Sequence, residues 1–361
     1  MVAGLLGGHF GAEYGCRKTA TFGATLCSMG YVICSVAPNI YAFIAGETIA
    51  GIGFGFCGPN TVAVLAQWFE KYRYLATGLV TIGGAMGLFA FPPLSVALNE
   101  AYGWRGATLL LGAISAHNLV CASVWRPLPR GGGEGGGRVV FGRRMAGDWR
   151  FRLMSAGTFT GMGCGFTFYS MTPVLLSNSR VLMGQADAAF VLSIAAVCSA
   201  LGRILAAVTG HFSYVQHKVL ICVCGYSLQL VGLLLTCGAA LFLRGWWLAA
   251  PAAVSFGLGH GLCIAGSVMT ILELFGPAEI GKVLGAVFAL GGFGVFIIPT
   301  AAGAVADHFH SYVAAFCLAA CVGVLSVVLF GAIYALERRM ERDRTGSGEK
   351  SPEMVELEET R

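Results

Sequence analysis

The chain has 361 residues, 56% of them apolar and only 11% charged, with a formal net charge of +5. A soluble domain of this size is excluded, because its surface would carry too little charge to stay in water. Nucleic-acid binding is excluded as well, since the basic residues follow the loop pattern described below.

A hydrocarbon core about 30 Å thick is crossed by about 20 apolar residues of helix. Residues 1–12 read as the end of one such helix. Met1 is followed at once by apolar residues, with no charged leader and no small-residue cleavage site, so no signal peptide is expected. Four spans follow at 19–38, 40–65, 75–97 and 106–126. The apolar pattern then stops over 127–150, where the run Gly131-Gly132-Gly133-Glu134-Gly135-Gly136-Gly137 and a basic patch predict a flexible linker. Six more spans lie at 153–177, 187–210, 217–243, 246–272, 282–306 and 310–336. The tail, 337–361, holds six basic and eight acidic residues and is expected to be disordered. The predicted class is an all-α polytopic membrane protein with a bundle at 1–126, a linker at 127–150, a six-helix bundle at 151–336 and a tail.

The charges check this count. Taken alternately, the connections on one side carry 19 of the 23 Lys and Arg residues, those on the other only Arg105, Arg180 and Arg244, with Arg203 left inside a span. The positive-inside rule predicts a cytoplasmic linker and C-terminus. Trp246 and Trp247 on the outer side, and Trp68, Tyr72 and Tyr74 on the inner, fall where interfacial aromatics belong. Nearly all of the 13 cysteines fall within spans and read as small packing residues. Their spacing matches no zinc site, and no Ser-His-Asp grouping or His-rich box is present, so neither an enzyme, a metal nor a cofactor is expected.

A six-helix second half beside an incomplete first half points to a 6+6 carrier with a cytoplasmic central loop. Helix 1 and most of helix 2 are missing from that plan, about 30–60 residues at ordinary helix lengths.

Polar groups inside the bilayer mark function. Arg203 lies about 24 Å from the outer end of its span at about 1.5 Å per residue. Its fork fits a carboxylate bidentately, and the alternative is an arginine snorkelling to the inner interface. His260 lies at nearly the same depth, about 21 Å in. It either meets substrate or bonds a neighbouring helix. Glu47 is shallower, about 10 Å from the outer end, too far from Arg203 for a direct ion pair.

Several stretches carry a family resemblance. Tyr14-Gly15-Cys16-Arg17-Lys18 resembles the G-x-R element between helices 2 and 3 of the major facilitator superfamily. Trp68-Phe69-Glu70-Lys71-Tyr72-Arg73-Tyr74-Leu75-Ala76-Thr77-Gly78-Leu79, followed by Gly83, Gly84 and Gly87, is similar to the second signature of the monocarboxylate transporter family. Phe91-Pro92-Pro93-Leu94, Tyr102-Gly103-Trp104-Arg105, Gly202-Arg203 and Phe275-Gly276-Pro277 continue the match.

The resemblance implies a two-bundle carrier of small organic monoanions, lodged in the plasma membrane and working by alternating access. It makes Arg203 the carboxylate ligand, and it puts His260 where lactate carriers use a phenylalanine filter. Ser199 falls where those carriers place an aspartate, which puts proton coupling in doubt. Gly15, Arg17, Lys71, Arg73 and Gly78 are implied as gating positions. The partners implied are the substrate anion, a proton, the lipid bilayer and a single-span accessory glycoprotein. The family's first signature and the lysine of its helix 1 are absent. A non-transporting paralogue, a sensor or a fragment therefore stands as the alternative.

Overall fold

The computed structural model describes residues 3–126, 147–178, 185–211, 217–241 and 245–346, and every regular element among them is helical. The first half contains α1 (Gly4–Tyr14), α2 (Cys16–Ser35), α3 (Ile40–Trp68), α4 (Arg73–Val80) and α5 (Ile82–Val124). The second contains α6 (Trp149–Asn178), α7 (Gln185–His211), α8 (Val219–Leu241), α9 (Gly245–Phe309) and α10 (Tyr312–Gly346). Much of the linker (127–146) and the last residues (347–361) lie outside the described residues, as do Arg180 and Arg244.

Two stretches are too long for one crossing: residues 73–124 and 247–309 run 52 and 63 residues. Each turns back at one glycine, Gly103 (φ 67°, ψ 170°) and Gly276 (φ 74°, ψ 172°). That conformation is open essentially to glycine alone, because a Cβ would collide with the backbone. Each stretch thus supplies two spans, and helix covers most of the described part of each of the ten predicted spans.

Three expectations need correction. The span expected at 75–97 is interrupted at Thr81, where the hydroxyl of Thr81 donates to Gly78 O (2.6 Å) and tight i→i+3 bonds form on either side. The linker expected to reach residue 150 gives way to helix from Trp149. The charged tail expected to be disordered from Glu337 continues α10 as helix to Gly346. Glu, Arg, Met and Leu are good helix formers. Two contacts also hold the extension against the bundle, Arg150 Nε–Glu337 (2.7 Å) and His217 Nε2–Glu341 (3.0 Å).

Small residues govern the packing. A Cβ on Gly30 would lie 2.5 Å from Ala50 N, and one on Gly53 2.4 Å from Gly23 O, so α2 and α3 meet backbone to backbone. Asn39 caps α3 by accepting a bond from Ala42 N (2.9 Å).

The two halves meet at the basic end. The ends of α3 and α5 are joined there by Trp68 Nε1 donating to Arg126 O (3.1 Å). The largest buried cluster joins Val62, Ala63 and Ala66 of the first half to Ile280, Val283 and Leu284 of the second. A Cβ on Gly8 would reach within 2.2 Å of Gly281 O. Tyr72 packs on His211 at 5.2 Å, and Lys218 Nζ lies 5.3 Å from the Tyr74 ring. Toward the other end, the buried clusters around Phe168 and Ala302 draw on the second half alone. The molecule is closed at its basic end, and its halves share no buried cluster at the other among the described residues.

Candidate functional site

Arg203 sits on α7 and is 7% exposed. It does not snorkel to an interface. Its Nη1 donates to the carbonyl of Thr81, across the boundary between the halves, at the break between α4 and α5. Gly84 of α5 passes close to the guanidinium, since a Cβ there would lie 2.8 Å from Nη1. Nε has no protein hydrogen-bond partner. No carboxylate pairs with this guanidinium among the described residues.

Ser199 lies one helical turn before Arg203 on the same face, fully buried, and its Oγ has no partner. His260 of α9 is 6% exposed and its Nδ1 is also unpartnered. Its ring stacks on Phe256 (5.8 Å, 10°) and meets the edge of Tyr169 (5.4 Å, 71°). Tyr169 of α6 completes the group: its Oη is buried, lies near Ser199 Oγ without a hydrogen bond of normal geometry, and is within electrostatic reach of Arg203. Three helices thus bring four unpartnered polar atoms together. Each such atom costs about 1–3 kcal/mol to keep buried. All four can donate, His260 Nδ1 in one of its tautomers, which suits a ligand rich in acceptors, above all a carboxylate.

The sequence picked out Arg203, Ser199 and His260, and the structure gathers them. It did not pick out Tyr169. A tyrosine in an apolar span looks like packing, and only the burial of its hydroxyl distinguishes it. Glu47 is not part of this cluster. It lies on α3, exposed, and accepts a weak bond from Cys34 Sγ (3.7 Å).

The expected gating positions separate into two groups. Gly78 is at the closure itself, where a Cβ would sit 2.6 Å from Ala207 Cβ and 2.7 Å from Met269 Cε in the other half. Arg73 is partly buried there, its Nε unpartnered. Arg17 and Lys71 are exposed and form no ion pair among the described residues. Lys71 instead lies 5.7 Å from the ring of Tyr72. Gly15 (φ 94°) supplies the reversal between α1 and α2. Among the described residues the closure is made by small and branched apolar residues, aromatic rings and the Arg203–Thr81 bond, and every ion pair stays within one half.

The sequence model described as Major Facilitator Superfamily matches residues 1–228 and 217–359. The chain is 25% identical to human Monocarboxylate transporter 12 over 373 residues, covering 94% of this chain and 71% of that one. It is 26% identical to rat (Rattus norvegicus) Monocarboxylate transporter 3 over 344 residues, covering 92% and 69%. Among solved structures, the fold is similar to FucP, a Major Facilitator Superfamily transporter in the outward conformation (TM-score 0.72, 13% identity, 91% of this chain and 86% of that one). It is likewise similar to the human organic anion transporter MFSD10 (TM-score 0.70, 16% identity, 91% and 80%).

Proposed function

We propose that this chain, a member of the Major Facilitator Superfamily and a multi-pass membrane transport protein similar to the monocarboxylate transporters, carries small carboxylate-bearing solutes by alternating access, with Arg203 as the carboxylate ligand. The observation that carries the reading is a buried arginine held between the two halves with no carboxylate as its ion-pair partner among the described residues.

A substrate carboxylate offers two acceptors to a guanidinium that has one carbonyl. It competes with Thr81 O, so binding loosens the tie between α5 and α7 that helps hold the basic end shut. The glycine and alanine contacts at that end then part, and the halves rock about the site. With the basic end in the cytoplasm, as the charge asymmetry supports, the conformation described here faces outward. We place the protein in the plasma membrane. A single-span accessory glycoprotein belongs to this reading as a partner, on the family resemblance alone.

Ser199 stands one turn from Arg203, where a carboxylate would have served as proton acceptor. Without one, the anion crosses by facilitated diffusion or exchange rather than with a stoichiometric proton. Arg203→Lys keeps the charge but removes the fork. A charge-assisted hydrogen bond contributes about 1.5–3 kcal/mol, so uptake of radiolabelled acids should fall about 10- to 150-fold with surface expression intact. Unchanged uptake would reject the carboxylate role, and uptake that rises steeply at acidic pH would reject the uncoupled mechanism.

A further inference from the structure

Resting on that reading of Arg203, we infer that Tyr169, together with Ser199, determines specificity by hydrogen-bonding a polar substituent next to the substrate carboxylate. The Tyr169 ring is fixed from three sides: edge-on to His260 (5.4 Å), to Phe256 (5.5 Å) and to Phe168 (5.7 Å). Its hydroxyl therefore has a set position. That position is buried, beside Ser199 Oγ, and neither oxygen has a partner outside this pair.

A phenylalanine would make the same ring contacts without placing a hydroxyl in an apolar span. Packing thus accounts for the ring and not for the oxygen, since buried tyrosine hydroxyls ordinarily find a partner. Ser199 and Arg203 are four residues apart on one helix, so the hydroxyl pair lies about 6 Å along α7 from the arginine's own turn. A carboxylate held by the guanidinium would bring the substituents on its second and third carbons within reach of that pair if its chain runs along α7 toward Ser199. Both hydroxyls donate and accept, so they suit a hydroxyl, a keto oxygen or an amino group. A plain alkyl chain would leave them nothing but each other. Sites built this way discriminate against the analogue that lacks the polar group more strongly than against one that differs by a methylene.

The test uses the full-length chain purified in detergent, with matched probes: butyrate, 2-hydroxybutyrate and 3-hydroxybutyrate. Ligand-induced thermal stabilisation gives apparent affinities, and uptake into proteoliposomes is followed in parallel. The wild type should bind at least one hydroxy acid about tenfold tighter than butyrate. Tyr169→Phe should reduce that preference at least fivefold, weakening the hydroxy acid more than butyrate. Ser199→Ala, the smaller change, should lower the same ratio and decides the matter if Tyr169→Phe does not fold. An equal loss for all three acids would make Tyr169 a packing residue and overturn the inference, as would an unchanged ratio or a wild type that binds none of them. The carrier reading fails separately, if Arg203→Lys leaves uptake of every probe intact.

Discussion

Gly78→Ala is the most direct test of how the basic end closes. The added methyl would lie 2.6 Å from Ala207 Cβ, 3.0 Å from Ala207 Cα and 2.7 Å from Met269 Cε. The methionine tip can swing aside; Ala207 is fully buried and has no rotamer to change. Overpacking of this kind costs about 1–3 kcal/mol, a factor of about 5 to 150 in an equilibrium constant. The clash exists only while the halves touch, since Gly78 belongs to one and Ala207 to the other. The whole penalty therefore falls on the closed arrangement and drives the basic end open.

Cys16 reports the change. It is half-buried against the cluster that joins the halves, and burial pushes its thiol above the ordinary value, so it reacts slowly while the end is shut. Maleimide labelling, resolved to Cys16 by mass spectrometry, should accelerate at least fivefold in Gly78→Ala. Gly83→Ala is the control, because no atom lies within 4 Å of the Cβ it would add. Its only expected effect is the helix preference of Ala over Gly, about 1 kcal/mol. Equal labelling in the two variants, or no acceleration in Gly78→Ala, would refute the closure described here.

His260→Phe should be accommodated against Phe256, with which the histidine already stacks, and should remove one unpartnered buried atom. The expected outcome is a shift of uptake toward smaller acids, measured on a panel of chain lengths; an unaltered profile would remove His260 from the substrate path. Glu273, just beyond the span ending at 272, accepts a bond from Lys218 N (2.8 Å) and is flanked by the charges of His217, Lys218 and Glu337. Burial raises its pKa above the ordinary value, so the folded state holds a proton that the unfolded chain releases. Its contribution to stability is full below about pH 4.3, the ordinary glutamate value, and is lost as pH rises through the raised one. Glu273→Gln keeps an acceptor for Lys218 N and should flatten the fall in melting temperature over that window. A melting curve as pH-dependent as the wild type's would show that Glu273 does not titrate there.

The helical spans were legible in the sequence because a bilayer imposes a length and an apolar composition on any crossing, and because charge sorts between the two sides. Gly103 and Gly276 could be placed in turns for the same reason. The extension of α10 to Gly346 was not legible, since charge density alone resembles disorder until Arg150 and His217 are seen to receive Glu337 and Glu341. The break at Thr81 was hidden too, because one hydroxyl turned back on Gly78 O changes no hydropathy pattern.

The candidate site divides along the same line. The sequence by itself determined that Arg203 is an arginine deep in an apolar helix, with Ser199 one turn away and His260 at a similar depth. Only the tertiary structure decided that Arg203 reaches Thr81 in the other half, that Tyr169 joins the group, and that Glu47 stays apart with Cys34. Depth along a helix is a one-dimensional quantity that spacing encodes. Which faces of different helices meet depends on where small residues let backbones approach, and that is settled only when all the helices pack together.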